Sequence, residues 1–519
     1  MPTQHIVMFD SDGSPVDPTG NIGDTRHSPF FSYPKMPADD YDRYLEDLFK
    51  HITAKPLQGG TRKILFYVHG GLNTQVNTLE RVVQPVGSDN TKLYEAILNG
   101  GYYPIFVNWK SSLWSSYFEH LFSIRQGTQV SVATGLATSF VVFPVDVGRS
   151  ILRLPLTWGT LVANDAKTIY NISKAPSFAD EVGKEGICRA QYGADLSGCL
   201  KTFRFQTPPY CIPFAADGEQ SVRPAQRSTA APKSVSVEIG EDQRRCLEGT
   251  PRFLMYLATI PSKFLIAPIL DTFGTSAWDN MLRRIELLYH KESEVRPGLN
   301  ELSAWAFNKA KSEGTLADMK VTGGLSIFFD RLLEVYHKDQ ERNPGVVWDL
   351  VLVGHSAGTI VLNQLIRTYG ARLPISHIVY SAAAATIRDT EDSIYPYLRL
   401  RNGETHFHNF MLHKQAEAGE INAWDLSPRG SLLMWIDSFL ANPQTPWDRT
   451  VGQHENFFPM VHDIPDDIRD YISVRTFSAG QPAERTNPQS HHEMGSRFKF
   501  WKAACWEIGA PLDDCILPP

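Results

Sequence analysis

Short runs of β-branched and aromatic residues recur along the chain, and each leads into a stretch with apolar positions at helical spacing. Six runs predict strands: Lys63–His69, Tyr103–Trp109, Trp348–Gly354, His377–Ser381, His406–Leu412 and Tyr471–Phe477. They are almost continuously apolar rather than alternating, which is what a parallel sheet covered on both faces requires. After Gly354, the spacing of Ile360, Leu362, Leu365 and Ile366 predicts a helix. Ser427–Pro428, read as an N-cap followed by a first-turn proline, predicts another through Leu432–Leu440. A last helix is expected from about Ser496 to Trp506. The fold class is therefore α/β, with a mostly parallel, doubly wound sheet.

The alternation breaks once, between about Ser111 and Thr322, where strand signals are few. Because strands resume beyond the break, the expected organisation is one domain from 1–115 and 320–519, with a large, mainly helical cap or lid insertion at 116–319. Within it, a segment rich in Pro, Ser and Ala near 206–252 reads as a flexible linker. Two apolar stretches stand out, the uncharged run Gln126–Val145 and Phe253–Leu270. The first is long enough to be weighed as a membrane span. Its Ser131, Thr134, Thr138, Ser139 and Pro144, with Asp146 next, argue instead for a buried cap helix or one touching lipid at its surface.

Composition narrows the classes. At 519 residues the chain can bury a large core, and 42% hydrophobic with 21% charged residues is ordinary for a globular protein. A net charge of −7 with no dense Lys/Arg tract argues against nucleic acid as a partner. The start, MPTQHIVMFDSDG, does not read as a secretory signal, so the expectation is a cytoplasmic or peripherally membrane-associated protein. None of the six cysteines forms a CxxC pair, and free thiols are expected. His406, His408 and His413 lack matching carboxylate or thiol spacing and read as structural, so no metal or organic cofactor is expected.

Candidate chemistry centres on Gly354-His355-Ser356-Ala357-Gly358, where an apolar strand meets an amphipathic helix. A sharp strand-to-helix turn strains the Ser356 backbone, lifts its hydroxyl above the sheet and aims the Ala357 N–H at a developing oxyanion. A second donor is expected from Gly70 and Gly71, in the His69-Gly70-Gly71 tripeptide that follows another strand. His69, His355 and Trp109 are expected to line the substrate pocket.

Together, HGG and GHSAG on alternating strands and helices resemble the α/β-hydrolase superfamily, in particular its lipase and esterase branches. The resemblance covers the sheet-forming segments and implies the triad order serine, acid, histidine. It implies a histidine after the last strand, which nominates His491, with His492 as runner-up. The acid stays open: Asp425 leads, Glu417 is the alternative, and Glu420 and Asp389 are also candidates. The expected activity is hydrolysis of carboxylic esters through an acyl-enzyme, on an ester or lipid substrate, with peripheral membrane contact through the insertion. The rival readings are a thioesterase or amidase using the same triad, a toxin-type lipase, and a hydrolase-like scaffold without catalysis that binds lipid or a partner. Oligomeric state is not legible.

Overall fold

A computed structural model describes residues 3–20, 33–55, 57–71, 73–86, 90–125, 128–129, 132–173, 259–290, 323–412, 414–420, 427–457, 463–477, 488, 490–506 and 515–517. Seven strands form one parallel sheet: β1 (Ile6–Phe9), β2 (Thr61–Val68), β3 (Tyr103–Trp109), β4 (Val347–His355), β5 (Ile375–Ser381), β6 (His406–Leu412) and β7 (Ile472–Phe477). Their order is β1-β3-β2-β4-β5-β6-β7. The α/β expectation and all six predicted strands are present. β1 is additional: four residues are too few for a period or run to stand out from a loop.

Contacts divide the chain into two units, each built from separated segments, and the division falls within β4 and β5. In the first unit, β3 pairs with both β1 and β2, with Ile6 opposite Phe106 and Ile64 opposite Tyr103. Every residue of β3 is buried, so both of its faces feed the core. Helix Gly324–Arg342 contributes Phe328 and Phe329, which meet Phe66 at ring separations of 5.8 and 5.1 Å. The buried Arg284 is paired. Arg284 reaches Glu119 through Nε (2.8 Å) and Nη2 (2.7 Å) and donates from Nη1 to the Lys110 carbonyl (2.8 Å). Burial pushes the Glu119 carboxyl up, but Arg284 and Arg283 overcome this and hold it at about 2. A lone buried charge would cost several kcal/mol, so neither partner is tolerable without the other.

In the second unit, β5, β6 and β7 pair in register, His377 with His406 and Phe407 with Ile472. His377 and His408 share a hydrogen bond of 3.0 Å between ring nitrogens, and both rings pack on Trp506. Among the described residues no group of three or more His, Cys, Asp or Glu could hold a metal. His413 lies outside the described residues. Asp437 accepts from the Thr450 N–H (3.1 Å), Gln453 Nε2 (2.6 Å) and Asn456 Nδ2 (2.6 Å), yet burial still raises its carboxyl to about 6.

Four expectations need correction. The helix placed at Ser427–Pro428 starts after Ser431, which caps it through the Met434 N–H; Gly430, at φ 119°, stops it from beginning earlier. The helix expected over Ser496–Trp506 instead occupies His491–Ser496, capped by Ser490, and only a 3-10 turn at Ala503–Cys505 follows. The apolar run ending at Val145 is part of helix Val132–Ser173 and is not buried: over Ala133–Asn164 only 22% of the most apolar window lies inside the protein. Finally, Cys505 and Cys515 form a disulfide rather than free thiols, a pairing with no CxxC signature to announce it. Cys188, Cys199, Cys211 and Cys246, and the 206–252 linker, fall outside the described residues.

A crosslink closing a loop of 10 residues is expected to add about 2–3 kcal/mol, mainly by restricting the unfolded chain. Dithiothreitol should therefore lower the urea midpoint of the wild type and leave a Cys505→Ser/Cys515→Ser variant unmoved.

Candidate active site

β4 ends at His355, and the chain turns through Ser356 and Ala357 into helix Gly358–Tyr369. Ser356 has φ 51°, a left-handed conformation that costs an ordinary residue about 1–2 kcal/mol. Hydrogen bonds hold it from both sides. Its N–H donates to the Ser381 carbonyl (3.0 Å). Its own carbonyl accepts from the N–H groups of Thr359 and Ala384 (both 3.1 Å) and from the Thr359 hydroxyl (2.7 Å). That hydroxyl in turn accepts from the Ala385 N–H (3.0 Å). Ala382, at the end of β5, is left-handed as well (φ 46°).

Ser356 is 1% exposed, and its Oγ makes no hydrogen bond among the described residues. Leaving a buried hydroxyl unpaired costs about 1–3 kcal/mol, so a purely structural turn would do better with alanine.

His491 is held at the same sheet edge. The His355 Nε2–H donates to the His491 carbonyl (3.2 Å), and the two rings lie 5.1 Å apart. The Ser381 hydroxyl donates to the Met494 carbonyl (3.0 Å), fixing the helix that His491 begins. The imidazole is buried, and neither ring nitrogen is hydrogen-bonded among the described residues. Burial, with His492 adding to it, pulls its pKa down to about 3, so the ring is neutral at physiological pH. His492, the runner-up base, is exposed.

Of the candidate acids, Glu420 touches His491: Oε2 accepts the His491 backbone N–H (3.0 Å). Burial raises the Glu420 carboxyl to about 7, against the lowering effect of that bond. Glu417 is buried on helix Lys414–Gly419, where its carbonyl accepts from the Ser431 N–H (2.8 Å). Asp389 lies in the first turn of helix Ile387–Arg401. Asp425 falls outside the described residues. Sequence reasoning overlooked one buried histidine, His454. It follows Gly452, whose N–H donates to the Ala383 carbonyl (3.0 Å), and a Cβ at 452 would meet the Ala383 nitrogen at 2.1 Å. Nothing in the surrounding TVGQHEN segment marks it; only the close approach of the two backbones does.

The His69–Gly71 loop belongs to the first unit. The His69 Nδ1–H donates to the Gly70 carbonyl (2.7 Å), and its Nε2 accepts the Trp109 N–H (3.2 Å), while burial lowers its pKa to about 4. His69 and Trp109, expected to line a pocket, are both buried, and the Trp109 indole N–H donates to the His69 carbonyl (3.4 Å). Asn73 Nδ2 and the Ser111 hydroxyl also donate to the Gly70 carbonyl, each at 3.3 Å. In a trans peptide the next N–H points opposite to the carbonyl, so three donors on Gly70 turn the Gly71 N–H away from their cluster.

Compared with family profiles, curated proteins and solved structures, the chain matches none. What the site can do therefore rests on its own geometry: a strained buried hydroxyl, a neutral buried imidazole and a carboxylate on that histidine's backbone.

The pKa directions make a measurable claim. In NMR titration, the His491 ring should stay neutral down to at least pH 5, whereas an exposed histidine titrates near 6.5. A His491 midpoint near 6.5 would contradict the buried placement.

Proposed function

We propose that the chain is a serine hydrolase of the α/β-hydrolase type, cleaving carboxylic esters through an acyl-enzyme. The observation that carries this reading is Ser356: left-handed, buried and with an unpaired hydroxyl, at a strand-to-helix turn whose preceding residue, His355, holds the backbone of the buried, neutral His491. The strand order supports it too, since the serine follows the central strand β4 and the histidine follows the last strand β7.

In this mechanism Ser356 Oγ attacks the ester carbonyl as His491 takes the hydroxyl proton. The tetrahedral oxyanion is met by the Ala357 N–H, at the start of a helix. The carbonyl re-forms, the alcohol leaves with the proton held by His491, and Ser356 carries the acyl group. Water, deprotonated by His491, then releases the acid and restores the serine.

Glu420 is assigned as the orienting acid. The Nδ1 and backbone nitrogen of one histidine are close enough for a single carboxylate to span both, and Glu420 already binds the backbone N–H. Its carboxylate would stabilise the imidazolium that forms at each step. Asp425 and Glu417, favoured by sequence spacing, become the competing assignments.

Two outcomes test the reading. A fluorophosphonate probe should label the wild type and not Ser356→Ala; absence of labelling in both leaves the non-catalytic scaffold as the better account. Because Glu420 must be ionised to support the imidazolium, kcat/KM for a short ester should fall about tenfold per pH unit below about 7. Glu420→Gln should lower kcat by at least about 100-fold and remove that limb. If the limb survives in Glu420→Gln, the acid is Glu417 or Asp425, and the same substitution at those positions decides between them.

A further inference from the structure

Within the second unit, the helix segments 141–164 and 260–275 run antiparallel, and their polarity is inverted relative to an ordinary soluble helix pair. The polar groups face each other. Arg153 pairs with Asp271 (3.1 Å), and the Ser150 hydroxyl donates to the Pro268 carbonyl (2.8 Å). Pro268 has no N–H to offer the carbonyl four residues back, and the Trp158 indole supplies that bond instead, donating to the Phe264 carbonyl (2.9 Å). The apolar side chains face outward: Leu152 is 84% exposed and Leu265 72%, with Val141, Val145, Leu156 and Ile269 on the same outer surface.

Water would favour the opposite arrangement, because a run of exposed aliphatic side chains forfeits about 25 cal/mol for each Å² left wet. Hydrocarbon favours this one, since every backbone and side-chain polar group must then find its partner inside the protein. Length agrees: segment 141–164 is about 36 Å long at ~1.5 Å per residue, against a hydrocarbon core of about 30 Å, and the most apolar window of helix Ala133–Asn164 has a mean hydropathy of 1.3.

We propose that these two helix segments form a hairpin that inserts into a lipid bilayer, the outer aliphatic surface against the acyl chains and the Arg153–Asp271 pair shielded between the helices. This deepens the expectation of peripheral lipid contact into insertion, and it stands independently of the hydrolase reading.

The test uses the full-length protein with phosphatidylcholine vesicles. Wild type should float with the vesicles in a density gradient and stay with them in 1 M NaCl and at pH 11, as an inserted rather than electrostatically attached protein does. A Leu152→Glu/Leu156→Glu/Leu265→Glu variant should lose at least 100-fold in partitioning while keeping its circular dichroism, since these side chains make up the exposed surface. Should that variant misfold, the milder Leu152→Asn/Leu265→Asn pair is expected to give a smaller loss in the same direction. Wild type remaining in the soluble fraction, release by salt, or flotation of the glutamate variant equal to wild type would each overturn insertion. So would a wild-type dimer in vesicle-free buffer that becomes monomeric on the glutamate substitutions without any vesicle binding, because a second copy would then be the occupant. Fluorophosphonate labelling of Ser356 in the same variants keeps this result separate from the catalytic one.

Discussion

The left-handed backbone of Ser356 is the constraint on which the carboxyl end of the central strands depends. A residue with a Cβ does not stay at φ 51° unless its neighbours outvote the strain. Here the opposing force is a set of bonds to both peptide groups of Ser356, drawn from the Ser381–Ala385 segment and from Thr359. That segment continues β5, is itself left-handed at Ala382, just past the strand, and is hydrogen-bonded in turn by the Val451–Gly452 backbone. The turn is thus the meeting point of β4, β5 and a distant loop, and its geometry belongs to all three.

Much of this was legible from the chain because the signals are local. Runs such as Leu350–Val353 are buried on both faces, and a strand between two helix layers reads as unbroken hydrophobicity. The glycines around Ser356, followed by an amphipathic helix, announce the turn by composition. What escaped depends on distance in sequence. The bond between Glu420 and the His491 N–H joins residues 71 positions apart, and nothing near either one favours Glu420 over Glu417. Cys505 and Cys515 carry no recognisable motif. The helix caps misled for a physical reason: Ser427 and Ser431 are both good N-caps, and the left-handed Gly430 between them decides which one is used.

Burial of ionisable groups follows two different rules in the two settings. The Arg284–Glu119 pair keeps opposite charges together, and each partner makes the other tolerable. His491 and Glu420 do the reverse, because burial pushes each toward its neutral form. In such surroundings a carboxylate facing an imidazolium is worth more than it would be in water.

The clamp on the Gly70 carbonyl has a consequence for how the chain can vary. The peptide between Gly70 and Gly71 has no side chain on either side to resist a half-turn, so its direction is decided by hydrogen bonding alone. Three donors vote the same way, from His69, Asn73 and Ser111. Loss of any one leaves a majority and an unchanged loop; loss of two frees the peptide to flip. Drift at these positions would therefore be silent one step at a time and abrupt at the second, which makes the loop robust to single substitutions and brittle to pairs.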